Sequence, residues 1–258
     1  MQIKGNTVLI TGGGSGIGLA LAKEFRSLGN TVIVANRSEA RLQQAAEQGF
    51  AAYKMDMSDQ ESIQRTAGEI LADHPELNGV IHSAGIMKSE SLVSGPNPEI
   101  QIETLAINLQ GPILLNNSLI PHLVQKPDAF IVTVTSGLAF VPLAMYPTYC
   151  ASKAGLHSYT ESLRYQLKET SVQVTELAPP YVQTELTGES QASDPMAMPL
   201  DEFIAEVMSQ LQENPEAKEL LVERVQPLRF AAEIGSQKYQ EFFAQFNDGF
   251  TVARAGVF

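Results

Sequence analysis

The sequence predicts an α/β protein: one doubly wound domain whose parallel sheet of about seven strands carries helices on both faces. Three observations point there. Short β-branched apolar runs alternate with amphipathic helical stretches along the chain. Each run is apolar at successive positions, as strands buried on both faces must be. A glycine cluster, Gly12-Gly13-Gly14-Ser15-Gly16-Ile17-Gly18, falls between the first run and the first helix.

Taken in order, residues 7–11 (Thr-Val-Leu-Ile-Thr) read as the first strand. Beyond the glycines, Ile17, Leu21 and Phe25 mark one helical face, and Gly29 is the residue type that ends helices. Residues 31–35 read as the second strand, followed by a helix from 38 towards 49. Further strands are expected at 51–55, 79–83, 129–135, 172–177 and 219–223, separated by helices at 60–72, 100–125, 149–169 and 201–212. Their crossovers should be right-handed. Nothing reads as a linker or repeat, so a single domain over 1–258 is expected. Residues 184–199, polar and rich in Pro and Met, read either as a substrate lid or as an ordinary surface loop. A helical segment is expected after 229, where Phe242, Phe243 and Phe246 read as core or interface rather than as a site.

Composition narrows the function. Lys plus Arg number 17 against 29 Asp plus Glu, a net charge of −12. Such a surface repels phosphate backbones and anionic lipid, so neither a nucleic acid nor a membrane is expected as partner. Cys150 is the sole cysteine and cannot form an intramolecular disulfide, and no apolar run reaches the roughly 18 residues of a bilayer span. The expectation is a soluble cytoplasmic protein. His74, His82, His122 and His157 show no ligand spacing, so no metal is expected.

At a strand-to-helix turn, glycines permit positive φ and let backbone N–H groups approach a pyrophosphate at the positive end of the helix dipole. The βαβ context favours a dinucleotide over a plain structural turn. The cluster lacks the GK[ST] ending of a P-loop, which disfavours an NTPase.

Thr11 to Gly18, as a TGxxxGxG motif, resembles the cofactor motif of the short-chain dehydrogenase/reductase family, and further landmarks follow in order over residues 3–225. Asp56, followed by Met57, occupies the place of the family's adenine-side aspartate. His82-Ser83-Ala84-Gly85 stands for its NNAG strand end. Asn108, Ser136, Tyr149 and Lys153 match its catalytic tetrad, and Pro179-Pro180-Tyr181-Val182-Gln183-Thr184 resembles its PGxVxT segment. Residues 198–208 further resemble a poorly characterised branch named for an association with teichoic-acid D-alanylation genes. The resemblance implies a Rossmann-type fold and a nicotinamide cofactor held by Gly12, Gly14, Ser15, Gly16, Ile17, Gly18, Asp56, Met57, Ser83, Ala84, Gly85, Tyr149, Lys153, Pro179, Val182 and Thr184. It also implies a homodimer or homotetramer paired through the helices at 100–125 and 149–169. His82-Ser83 departs from the usual pair of asparagines, and His82 reads as a hydrogen-bonded strand-end residue.

Tyr149 and Lys153 are four apart and share one helix face. By resemblance, Tyr149 protonates a carbonyl oxygen as hydride arrives from the nicotinamide, and Lys153 holds the nicotinamide ribose. Ser136 hydrogen-bonds the same oxygen, and Asn108 supports a water behind the lysine. A nearby ammonium and an oxidised nicotinamide would draw the phenol down from its ordinary pKa near 10. Cys150 lies about 100° round the helix and reads as packing.

Asn36, at the end of the second strand, lacks the acid that holds both ribose hydroxyls in NAD enzymes. Arg37 can pair a 2′-phosphate bidentately, so NADP(H) is expected over NAD(H). Ser15 stands where many NADP members carry a second basic residue. The substrate pocket is expected from Leu138, Phe140, Leu143, Met145, Tyr181, Leu186, Met196 and Met198. Between Arg164 and Lys218 the only cation is Lys168, so a neutral, largely hydrophobic ketone or aldehyde is expected, with Lys88 the one basic residue placed to reach the cleft. The expected activity is that of an NADP-dependent carbonyl reductase or alcohol dehydrogenase acting on a small-molecule carbonyl. Two alternatives stand beside it: a non-catalytic dinucleotide-binding regulator, which would lack members of the tetrad, and a 3-oxoacyl-thioester reductase, which would need a cationic anchor.

Overall fold

The computed structural model describes residues 1–95 and 97–253, the side chains of 251–253 excepted. Seven strands pair in parallel: β1 (Thr7–Thr11), β2 (Thr31–Asn36), β3 (Ala51–Lys54), β4 (Gly79–His82), β5 (Phe130–Val134), β6 (Gln173–Leu177) and β7 (Glu219–Leu220). Their order is β3-β2-β1-β4-β5-β6-β7. The winding reverses between β1 and β4, which opens a crevice beyond the carboxyl ends of those strands. The expected α/β class and parallel sheet are what the chain forms.

The helices are α1 (Gly16–Ser27), α2 (Glu39–Glu47), α3 (Gln60–Asp73), α4 (Pro98–Leu105), α5 (Gly111–Leu123), α6 (Pro147–Gln166), α7 (Glu189–Ala192), α8 (Leu200–Glu213), α9 (Gln226–Arg229) and α10 (Ser236–Ala253). Alternate strand residues bury against opposite layers. Val8 and Ile10 pack with Phe25 of α1 and Phe203 and Val207 of α8. Leu9 and Ile33 pack with Ile63 and Ile70 of α3 and Leu115 and Leu119 of α5. Each such side chain contributes about 1.5–3 kcal/mol by leaving water. No helix among the described residues is long and apolar enough to cross a membrane.

Two elements differ from expectation. The strand read at 219–223 stops at Leu220, because Gln210 of α8 takes over the next backbone groups: Leu221 N donates to Gln210 Oε1 (3.0 Å), and Gln210 Nε2 donates to the Leu221 carbonyl (2.9 Å). The helix read at 100–125 is broken by a single π turn, Ala106–Gln110, between α4 and α5. Such turns insert one extra residue and re-aim side chains, often at functional sites. This one carries Asn108.

Candidate active site

At the β1–β4 crevice a cleft of about 370 Å³ opens. The turn from β1 into α1 forms its floor. Gly12 sits at φ +68, and a Cβ there would lie 2.8 Å from the Ala84 backbone, so the turn and the end of β4 approach as only glycine permits. Ser15 caps α1 in extended conformation without a side-chain hydrogen bond to the helix, leaving its first-turn N–H groups without a side-chain acceptor. Ser15, Gly16, Ile17 and Gly18 line the cleft, as do Asp56 and Met57 after β3, Ser83 to Gly85 after β4, and Pro179, Val182 and Thr184 after β6. Gly14 does not. It faces α2, where a Cβ would meet Arg41 Cβ at 2.8 Å, so this glycine lets α2 pack on the turn.

Asn36 and Arg37 also line the cleft, and so does Arg41, which sequence reasoning missed. The available signal was its spacing, four residues beyond Arg37 at the start of α2. Arg37 reaches Glu103 Oε1 (3.2 Å), and Asp56 Oδ2 lies 3.9 Å from it. Arg41 Nη2 contacts Glu185 Oε2 at 2.7 Å. Lys88 is held at 2.8 Å by Glu103, whose carboxyl that hydrogen bond keeps below its ordinary range despite partial burial.

Ser136, Tyr149 and Lys153 meet at the inner end of the cleft. Lys153 is buried, and Nζ donates to the Val134 carbonyl at 2.8 Å. Burial pushes its ammonium down to about 8. Tyr149 lies on the same face of α6, with its ring centroid 5.7 Å from Nζ. Burial pushes the phenol up to about 12 against a lowering hydrogen bond from Ser136. This runs opposite to the depression expected beside an ammonium: burial is the largest cause of the shift, and Lys153 is not among its causes. A phenol so shifted stays protonated at neutral pH.

Asn108, fully buried, clamps the chain after β4: Nδ2 donates to the Ile86 carbonyl, and Ile86 N donates back to Oδ1, both at 2.9 Å. Nδ2 also reaches Ser152 Oγ at 3.1 Å. His82 is buried against Asn116 (Nε2 to Oδ1, 2.8 Å), and burial pushes its imidazole down to about 4. Behind Ser136, Thr135 Oγ1 donates to the buried Glu176 (2.6 Å), whose other oxygen meets His157 Nδ1 at 2.8 Å. Ligand atoms of His157, Glu176 and Glu219 lie within 4.8 Å of one another, yet Glu219 is engaged through both oxygens by Arg229.

Residues 6–195 match the family described as short chain dehydrogenase. The chain belongs to the short-chain dehydrogenase family. The uncharacterized oxidoreductase DltE of Bacillus subtilis (strain 168) is 40% identical over 253 residues, 96% of this chain and 98% of that protein. Among solved structures, a short-chain dehydrogenase/reductase from Burkholderia phymatum in complex with NAD superposes with TM-score 0.75 at 21% identity, covering 90% of this chain and 95% of that one. A 3-ketoacyl-(acyl-carrier-protein) reductase from Brucella melitensis complexed with NADH gives 0.74 at 26% identity, covering 84% and 96%. As a short-chain dehydrogenase the chain is an oxidoreductase, and NAD(P) binding is typical of that family.

In this short-chain dehydrogenase a second cavity, about 330 Å³, adjoins the cleft and shares Ser136 and Tyr149 with it. Leu138, Leu143, Tyr181, Leu186 and Met196 line it; Phe140, Met145 and Met198 do not. Phe140 is taken up by an edge-on contact with His157 (4.8 Å) and by Arg229 over its ring (4.7 Å). Met145 packs beside Tyr146 and Cys150. Met198 is buried at a bridge to Val182 that ties the two ends of the 184–199 loop together. The roof comes from α10, beyond the family match: Phe242, Phe246 and Phe250 line the cavity. Of the phenylalanines read as core or interface, Phe246 does pack, with Phe250, against the cluster of Leu143, Tyr146, Tyr149 and Cys150, and Phe242, Phe246 and Phe250 also border the cavity. Asn247 fastens α10 in place, accepting from Ala144 N (2.6 Å) and donating to the Pro142 carbonyl (3.2 Å). Arg224 also lines the cavity, six residues past the end of the stretch in which no cationic anchor was found. Lys88 does not line it.

Proposed function

We propose that this short-chain dehydrogenase is an NADP(H)-dependent carbonyl reductase, reducing a ketone or aldehyde whose body is hydrophobic and uncharged around the carbonyl. One observation carries the reading: Tyr149 and Ser136 stand at the junction of two cavities, one with an uncapped helix N-terminus and two arginines, the other apolar. The first fits a dinucleotide. The glycine turn packs closely on the end of β4, where a Cβ on Gly12 would collide with Ala84, and it brings the uncapped start of α1 to the cleft, a place suited to a pyrophosphate, while Arg37 and Arg41 supply cations for a 2′-phosphate.

When bound, the nicotinamide supplies or accepts the hydride. The chain's own residues do the rest. Ser136 orients the substrate oxygen, and Tyr149, protonated at neutral pH, donates a proton to it. Lys153, fixed by Val134, places positive charge beside the phenol and favours the phenolate that proton transfer leaves behind. The apolar walls exclude water from the carbonyl. Pairing through α4 and α6 belongs to the same proposal, since Ile102, Leu105 and Tyr165 stand exposed there. The test is consumption of NADPH and of NADH with a panel of aryl and alkyl ketones. Absence of turnover with every ketone, in a folded protein that binds the cofactor, refutes the reading.

A further inference from the structure

Among the described residues, the apolar cavity has an aromatic roof and one formal charge. Phe242, Phe246 and Phe250 recur every four residues on α10 and present a single stripe to it. Phe242 and Phe246 stack at 6.2 Å, and Phe250 meets Phe246 edge-on at 5.2 Å. Such a surface takes flat or extended apolar groups. Among the described residues the lining contains no acid.

Arg224 is the charge. It projects from the short turn Glu223–Val225 that follows β7, and its side chain has no ion pair or hydrogen bond among the described residues. Arg229, five residues on, shows what a structural arginine looks like in the same segment: Glu219 holds it at 2.7 and 3.1 Å, and it covers the Phe140 ring. Arg224 is exposed at the cavity and uncommitted. A guanidinium beside an acid-free apolar cavity is matched by a carboxylate, which it can bind through two parallel hydrogen bonds.

We infer that Arg224 anchors a carboxylate at the far end of the substrate, whose apolar body lies under the α10 phenylalanines while its carbonyl faces Tyr149. This rests on reading the cavity as the substrate site and replaces the expectation of a wholly neutral substrate with that of an apolar oxo acid.

Binding of unreactive probes tests it without turnover. The full chain saturated with NADP⁺ is titrated calorimetrically with 4-phenylbutanoate and with its neutral amide. The wild type should bind the acid about fivefold more tightly than the amide, the upper end for an ion pair that touches solvent. Arg224→Gln should erase that preference and leave amide binding unchanged, while Phe246→Ala should weaken both probes. Equal binding of the two by the wild type, a preference that survives Arg224→Gln, or no binding of either probe would overturn the proposal. Failure of the carbonyl-reductase reading shows separately, as absence of ketone-dependent NADPH consumption with the acid-to-amide ratio intact.

Discussion

Arg41 Nη2 lies 2.7 Å from Glu185 Oε2, joining the start of α2 to the loop after β6 across the mouth of the dinucleotide cleft. Both residues line that cleft, and Arg37 stands beside them with its own carboxylate partners, Glu103 and Asp56. The cations therefore rest on protein carboxylates, and under the NADP(H) proposal a dianionic 2′-phosphate would displace them. Arg37→Ala and Arg41→Ala should each weaken NADPH binding by about three- to tenfold, the scale of a partly exposed charge-assisted contact, with NADH nearly unchanged. Titration of the intrinsic fluorescence of the reduced cofactor reads both constants. An equal loss for the two cofactors would show that the arginines act on the fold and not on the phosphate.

Tyr149 offers the most direct check on the chemistry. Tyr149→Phe keeps the buried ring and removes the phenol, so turnover should fall by about 10²- to 10⁴-fold, as when an acid–base group is lost. The NADPH dissociation constant and thermal midpoint should change little. Wild-type turnover in this variant would end the proposed mechanism.

What was legible beforehand divides along a physical line. The glycine turn, the strand alternation and the Tyr149–Lys153 pair are local: each is set by a few consecutive residues and the period of one element. The parallel sheet of about seven strands followed from the alternation, whereas the strand order, with its reversal between β1 and β4, came from the structure. The roof over the apolar cavity was not legible, because a stripe of phenylalanines four apart says that a helix face is covered, and only tertiary docking decides whether side chains or a void lie beneath it. Arg41 was missed for the same reason, since its relation to Glu185 spans 144 positions. The early end of β7 depends on a side chain from a neighbouring element, Gln210 of α8, and the π turn at Asn108 has no pattern of its own in the sequence. Phe140 was assigned to the pocket by nearness to Ser136 in sequence, and the packing of Arg229 and His157 on its ring decided otherwise.

Two histidines should shape stability with opposite signs. His157 has its pKa raised chiefly by the hydrogen bond to Glu176, so its contribution is complete below the unfolded value near 6.5 and is lost as pH rises through the folded value. His82 has its pKa lowered by burial to about 4, so its contribution is complete above 6.5 and is lost as pH falls towards 4, to a limit of roughly 3 kcal/mol. The thermal midpoint should therefore decline on both sides of the region near pH 6.5. His157→Asn should flatten the alkaline side and His82→Asn the acid side. A wild-type profile that rises from pH 6.5 to 8 would contradict the His157 assignment.

Asn108 ties the π turn to the site, and its loss should reach both stability and rate. Its amide satisfies the N–H and the carbonyl of Ile86 together, and a Cβ on the neighbouring Gly85 would lie 3.3 Å from Asn108 Oδ1 and 3.7 Å from Lys153 Nζ. Asn108→Ala leaves both Ile86 groups without their partner, at a cost of about 1–3 kcal/mol for each that stays buried. The backbone that borders the lysine should shift to reach water. Asn108→Asp keeps the acceptor for Ile86 N but removes the donor to the carbonyl and sets a carboxylate against it, so it should not rescue. Asn108→Ala should accordingly lower the thermal midpoint and reduce kcat by more than tenfold. A clamping role predicts that NADPH binding weakens along with kcat, since Gly85 lines the cofactor cleft. Cofactor titration and thermal melts on the two variants measure this, and a variant with reduced kcat but unaltered midpoint and cofactor affinity would assign Asn108 to the chemistry instead of to the clamp.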